Sequence, residues 1–197
     1  MSEESDADDE FLEGVVGDRL RNADELSLTP EQHQRLKDWL HGELFTTLRR
    51  AERRYLVVGS GSGERGERRT RVRDRLDRRR NATAFRLEDF GFTSEELDLW
   101  APAFDILSAR ATHVVGVIED FDGGHVWELG LLYKQQVAVR DVLWILKRIY
   151  RTEAEMRGRY DNGMAASHMA ALEESVGEKV LEWETVTELD EAVQEIP

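Results

Sequence analysis

The chain has 197 residues, enough for one domain with its own apolar core, and it contains no cysteine, which excludes a disulfide scaffold, thiolate chemistry and a Cys-based zinc site. Its formal charge of -14, from 41 acids against 27 lysines and arginines, opposes general affinity for nucleic acid. No apolar run approaches the ~20 residues that span a membrane, and the N-terminus is acidic where a secretory signal is basic, so a cytoplasmic protein is expected.

Arginine outnumbers lysine 23 to 4. With the acid excess, this fits adaptation to high salt; an ordinary acidic protein is the plainer alternative.

Residues 1–10 carry six acids and almost nothing to bury, so a disordered tip is expected. Residues 11–52 read as an N-terminal helical extension, with a short segment at Phe11–Leu20. Thr29, Pro30 and Gln32 then form an N-cap, a first-turn proline and the far side of a capping box. The spacing predicts a helix to Arg50, with Leu36, Leu40, Leu44 and Leu48 in a line that Trp39 and Phe45 widen. That stripe serves either the chain's own sheet or a homodimer contact.

Residues 53–197 read as an α/β domain. Tyr55–Val58 is a short apolar strand followed by the turn Gly59, Ser60, Gly61, Ser62 and Gly63. Residues 64–80 predict a charged helix, with Val72 and Leu76 as inward anchors and nine arginines against four acids. Thr83–Leu87 is a second strand, ended by Glu88–Gly91. Thr93–Glu96 signals the next helix, whose inner face takes Leu97, Trp100, Phe104 and Leu107, with Pro102 near its start or causing an irregularity.

His113–Ile118 is the strongest buried-strand candidate. Val126, Leu129, Leu132 and Tyr133 keep helical spacing after it, and Val137–Leu146 contains the next strand, at Asp141–Leu146. Helical sequence broken near Asp161–Gly163 leads to a last strand at Lys179–Trp183, and Thr187 with Asp190 is expected to cap a final helix. Strands alternating with helix-sized intervals predict βαβ units and an open parallel sheet of about five strands flanked by helices, with an extra N-terminal helix.

Open parallel sheets bind ligands outside the carboxyl ends of their strands, where loops and helix N-termini converge. The glycine-rich turns 59–63 and 123–124 both fall there. The first offers amides and hydroxyls to a phosphate or ribose, although it lacks the spacing of a dinucleotide fingerprint and the ending of a P-loop. Arg65, Arg68 and Arg69 beyond it either draw in an anion or form ion pairs with Glu64, Glu67, Asp74 and Asp77 on an exposed helix.

Glu119, Asp120 and Asp122 leave the best strand directly into a loop, and Glu128 follows early in the next helix. A carboxylate there is stabilised in its charged form by the helix end, which suits a nucleophile or a stabiliser of positive charge; crowding among four acids keeps a neutral-pH acid in play. The plainer reading makes Glu128 a charged residue beside Trp127 on an ordinary helix. Calcium-loop spacing is absent and His125 is a single nitrogen ligand, so neither metal nor cofactor is expected. His33, His41 and His113 read as exposed or packing residues. His168 lies among small residues that allow close approach of a ligand or, equally, of another helix.

The stretch Thr112–Gly130 resembles the central strand, acidic loop and catalytic helix of the nucleoside 2-deoxyribosyltransferase-like superfamily, related to TIR-like NAD-cleaving domains. It is also similar to proteins of salt-loving archaea. The resemblance implies a flavodoxin-like sheet and an N-glycoside hydrolase or transferase acting on a nucleoside-, nucleotide- or NAD-like small molecule. Glu128 would be the nucleophile or oxocarbenium-stabilising carboxylate, Asp120 and Asp122 would contact or orient the sugar, and Gly59–Gly63 would be the ligand-facing first loop. The Gly/Ser-rich loop, the arginine-rich helix and the N-terminal helix depart from the family pattern, which leaves a non-catalytic nucleotide-sensing or interaction domain as the alternative.

Overall fold

The computed structural model describes residues 29–40, 42–91, 97–134 and 141–197. The acidic tip, Phe11–Leu20, His41, Thr93–Glu96 and Val137 lie outside the described residues, as do the side chains of His33, Trp39, Leu40 and Leu97.

The N-terminal extension is two helices, α1 (Pro30–Leu40) and α2 (Glu43–Arg50), rather than one. Gly42, in extended conformation, is the N-cap of α2, and glycine's low helix propensity suits the interruption. The reciprocal capping box at the start of α1 is present: Gln32 N–H donates to Thr29 Oγ1 (3.2 Å) and Thr29 N–H to Gln32 Oε1 (2.8 Å). Leu36, Phe45 and Leu48 are buried in the chain's own core.

The domain proper runs β1 (Arg53–Gly59), α3 (Gly63–Asp77), β2 (Ala82–Phe85), a 3-10 turn (Leu87–Phe90), α4 (Leu97–Arg110), β3 (His113–Ile118), α5 (His125–Lys134), β4 (Leu143–Arg148), α6 (Glu153–Arg159), α7 (Gly163–Val176), a second 3-10 turn (Gly177–Lys179), β5 (Val180–Trp183) and α8 (Val186–Glu195). The five strands form one sheet in the order β2-β1-β3-β4-β5, parallel at every pairing, which is the flavodoxin-like arrangement. Strand alternation divides the core in two. Leu56, Val58, Val114, Ile118 and Ile145 face α4, α5 and α7, whereas Tyr55, Val57, Val115, Val117 and Leu146 face α3 and α8. Val72 and Leu76 are the fully buried anchors of α3.

Three local expectations are corrected. The second strand ends at Phe85, because Arg86 begins the capped 3-10 turn at Leu87. The fourth begins at Leu143, since Asp141 and Val142 are still helical. The last helix is capped by Thr185, not Thr187: Glu188 N–H donates to Thr185 Oγ1 (3.3 Å) and the Glu188 carboxylate accepts Thr185 N–H (3.1 Å). Asp190 instead accepts from Arg71 and Arg75 of α3 (2.7 and 2.5 Å). Pro102 lies inside α4. Among the described residues no helix is long and apolar enough to cross a membrane.

Candidate active site

β1 pairs with β2 on one side and β3 on the other, so the chain leaves β1 in one direction and β3 in the other. The divergence creates a crevice at their carboxyl ends, the usual ligand position in such sheets. Gly59 ends β1 there with φ +141°, and a Cβ on it would stand 2.5 Å from the Val117 carbonyl oxygen. Only glycine fits both the conformation and the space.

Glu128, the fourth residue of α5, reaches back to this glycine: Gly59 N–H donates to Glu128 Oε2 (3.3 Å). The same glycine's carbonyl accepts from Arg69 Nη1 (2.9 Å). Arg69 is buried, with its other terminal nitrogen bonded to Glu88 Oε1. The end of β1 is thereby held between a carboxylate and a guanidinium. The loop closes further onto α3, because a Cβ on Gly66 would lie 2.7 Å from the Gly61 carbonyl oxygen.

Burial pushes the Glu128 carboxyl up to about 7, against the opposing pull of Arg69 and of the Gly59 N–H. The helix-end field expected to keep this group charged is outweighed by lost hydration. Burial likewise lowers Arg69, partly countered by Glu128. Near neutral pH the site thus holds comparable amounts of a carboxylate and a carboxylic acid.

The other acids have different surroundings. Glu119 is 2% exposed and binds Arg68 Nη2 (2.7 Å), Arg68 Nε (2.9 Å) and Arg148 Nη1 (2.8 Å). Asp120, fully buried, pairs with Arg65 and accepts Asp122 N–H (3.0 Å). Its backbone carbonyl lies 2.8 Å from His125 Nε2, and a carbonyl only accepts, so that nitrogen carries the proton. Asp122 itself is exposed. Glu128 and Gly59 are brought together, therefore, while Asp120 is turned to an arginine and Asp122, among the described residues, is tied in through its backbone.

Arg148, Tyr150 and Tyr160 were not among the sequence candidates. Tyr150 donates its hydroxyl to the Glu119 carbonyl (2.7 Å), and the Tyr160 hydroxyl lies 2.7 Å from the Arg148 carbonyl and 3.2 Å from that of Ile118. Burial raises both phenols above their ordinary value. The available signal was positional: Arg148 ends β4 and Tyr150 follows it, much as Glu119 and Asp120 follow β3.

The arginines of α3 are mainly clamps between elements rather than partners of acids on their own helix. Within α3 the ion pairs are Arg68 with Glu64 and Arg73 with Asp74, whereas Arg65, Arg68, Arg69, Arg71 and Arg75 reach other elements. His168 stacks on Tyr133 at 4.8 Å and faces Gly130, which makes it a contact between α7 and α5. His113 packs against Tyr55. Trp127 points into solvent, 80% exposed, one residue from Glu128. Among the described residues no group of three or more metal-ligating side chains is assembled.

No curated protein matches the chain. A family model described as a family of unknown function does match, over residues 8–194, and the chain belongs to that family, DUF8170.

Proposed function

We propose that the protein is an N-glycoside hydrolase or transferase acting on a nucleoside-, nucleotide- or NAD-like compound, with Glu128 as the reacting carboxylate. The observation that carries this reading is the placement of the Glu128 carboxyl on the Gly59 N–H, in the crevice where β1 and β3 diverge. Cleaving an N-glycosidic bond puts positive character on the anomeric carbon, which an ionised carboxylate stabilises or traps. The 59–63 loop supplies amides and hydroxyls for a 5′-oxygen or phosphate, and the outward Trp127 offers a face on which a base can stack. As the competent form is ionised and its pKa stands at about 7, turnover should rise with pH through neutrality.

The test is release of free base from a nucleoside, nucleotide and NAD panel. High salt suits the acid-rich, lysine-poor composition. The wild-type protein is expected to release base, and Glu128→Gln to bind ligand without turning it over. Equal activity in the variant would sink the assignment. A non-catalytic nucleotide sensor is favoured by one observation, that Glu128 is already engaged by Gly59 and so holds the loop; it predicts binding without base release over hours.

A further inference from the structure

We propose that the arginine-lined cavity at the carboxyl ends of β3 and β4 binds the phosphate of the ligand, with Arg159 and Arg148 as its principal contacts beside the open first turn of α3. The cavity has a volume of about 340 Å³ and takes Arg65 and Arg68 from α3, Arg148 from the end of β4 and Arg159 from the end of α6. That is within the range of small-ligand sites, ~300–1,000 Å³. Four guanidiniums from three elements converge on one cavity in a chain whose net charge is -14.

The carboxylates present orient these cations more than they neutralise the space. Glu119 lies buried, fixing Arg68 and Arg148, and Asp120 fixes Arg65. Glu64 and Glu155 also line the cavity but are exposed, Glu64 pairing with Arg68 at 3.3 Å. Arg148 is stacked over the Tyr150 and Trp183 rings at 4.9 and 5.2 Å, and its Nε is buried with no acceptor among the described residues. Arg159 lies over Tyr150 at 5.6 Å and makes no ion pair within 4 Å among the described residues, although Glu155 lines the same cavity one helical turn before it. Tyr150 donates its hydroxyl hydrogen bond to the Glu119 carbonyl, so its ring serves as a platform.

Ser62 is the N-cap of the 15-residue α3 but its side chain caps nothing, and with Gly63 it lines the same cavity. The first amides of a helix and its positive end favour a multiply charged anion, and arginine forks match phosphate oxygens in pairs. Glu128 is not among the lining residues. The inference deepens the reading above, on which it rests for the sugar and base, by making the substrate a phosphate-bearing nucleotide rather than a nucleoside.

Calorimetric titration of the full chain at constant ionic strength, with pyrophosphate, AMP and adenosine, tests it. Pyrophosphate and AMP are expected to bind saturably, and adenosine at least tenfold more weakly than AMP. Arg159→Gln, at an exposed position with no carboxylate to orphan, should weaken pyrophosphate at least tenfold and erase the advantage of AMP. Glu128→Gln should leave pyrophosphate affinity unchanged. Absence of pyrophosphate binding, an unchanged affinity in Arg159→Gln, or equal binding of AMP and adenosine overturns the site. If Glu128→Gln keeps full base-releasing activity while Arg159→Gln loses pyrophosphate, the glycosidase reading falls and the phosphate site stands.

Discussion

Glu119 and Glu128 occupy the two ends of one short segment and meet burial in opposite ways. Glu119 is 2% exposed and is ringed by Arg68 and Arg148. Glu128 has one backbone donor at 3.3 Å and the more remote influence of Arg69, and burial drives its pKa up to about 7. A buried carboxylate with two guanidiniums is a joint between α3, β3 and β4. The half-buried Glu128, with a single weak donor, keeps its proton-exchange chemistry near neutral pH, as a reacting group requires. Burial alone does not mark a functional acid; the pairing does.

The largest expected effect comes from breaking the paired region. Glu119→Ala leaves two guanidiniums without their shared carboxylate, and a destabilisation of about 3–5 kcal/mol should appear as a lower denaturant midpoint. Next is Arg69→Gln, which strips Glu88 of a buried partner and the Gly59 carbonyl of a donor. A loss of about 2–4 kcal/mol is expected, together with a Glu128 titration moved above about 7, which carbon-detected NMR of the carboxyl would follow.

Glu128→Gln should act in the opposite direction, with a pH-dependent size. The group's folded pKa lies above its unfolded value, so the folded state binds the proton more tightly and wild-type stability falls as pH rises from about 4.5 to about 7. The glutamine variant lacks this loss. Its unfolding midpoint should match wild type near pH 4 and exceed it at pH 8, by up to about 3 kcal/mol. Equal pH profiles for the two proteins would contradict the contrast. Asp122→Asn, at an exposed side chain tied in through its amide, should change stability by less than ~0.5 kcal/mol. If it nonetheless abolishes base release, Asp122 takes part in chemistry rather than in holding the loop.

Much of the frame was legible in the sequence for simple reasons. A central parallel strand is buried on both faces, so Tyr55–Val58 and His113–Ile118 stand out as apolar runs. Val72 and Leu76 are the conspicuous apolar residues of an arginine-rich helix and had to point inward. The capping box at Thr29 is a local pattern and survives intact. The one at the last helix was misplaced because Thr185 and Thr187 both offer a hydroxyl with an acid three residues on. The choice fell to Thr185, with Asp190 engaged by Arg71 and Arg75 from a distant helix. At the site, the acids after β3 and the glycines after β1 were readable as sheet-end loops. Arg148, Tyr150 and Arg159 were not, since they lie far from Glu119 in the chain and meet its neighbourhood through the folded sheet.

The parallel α/β architecture, the glycine turn after β1 and the acidic turn after β3 are written locally, because burial period, capping and glycine conformation depend on near neighbours in the chain. What each charged group does is set by long-range packing. Burial and the choice of partner are set by elements far apart in the chain: Glu119 and Asp120 became anchors for arginines, while Glu128 was left with the Gly59 amide. The same packing gave Arg148 and Arg159 a common cavity that no stretch of sequence spells out.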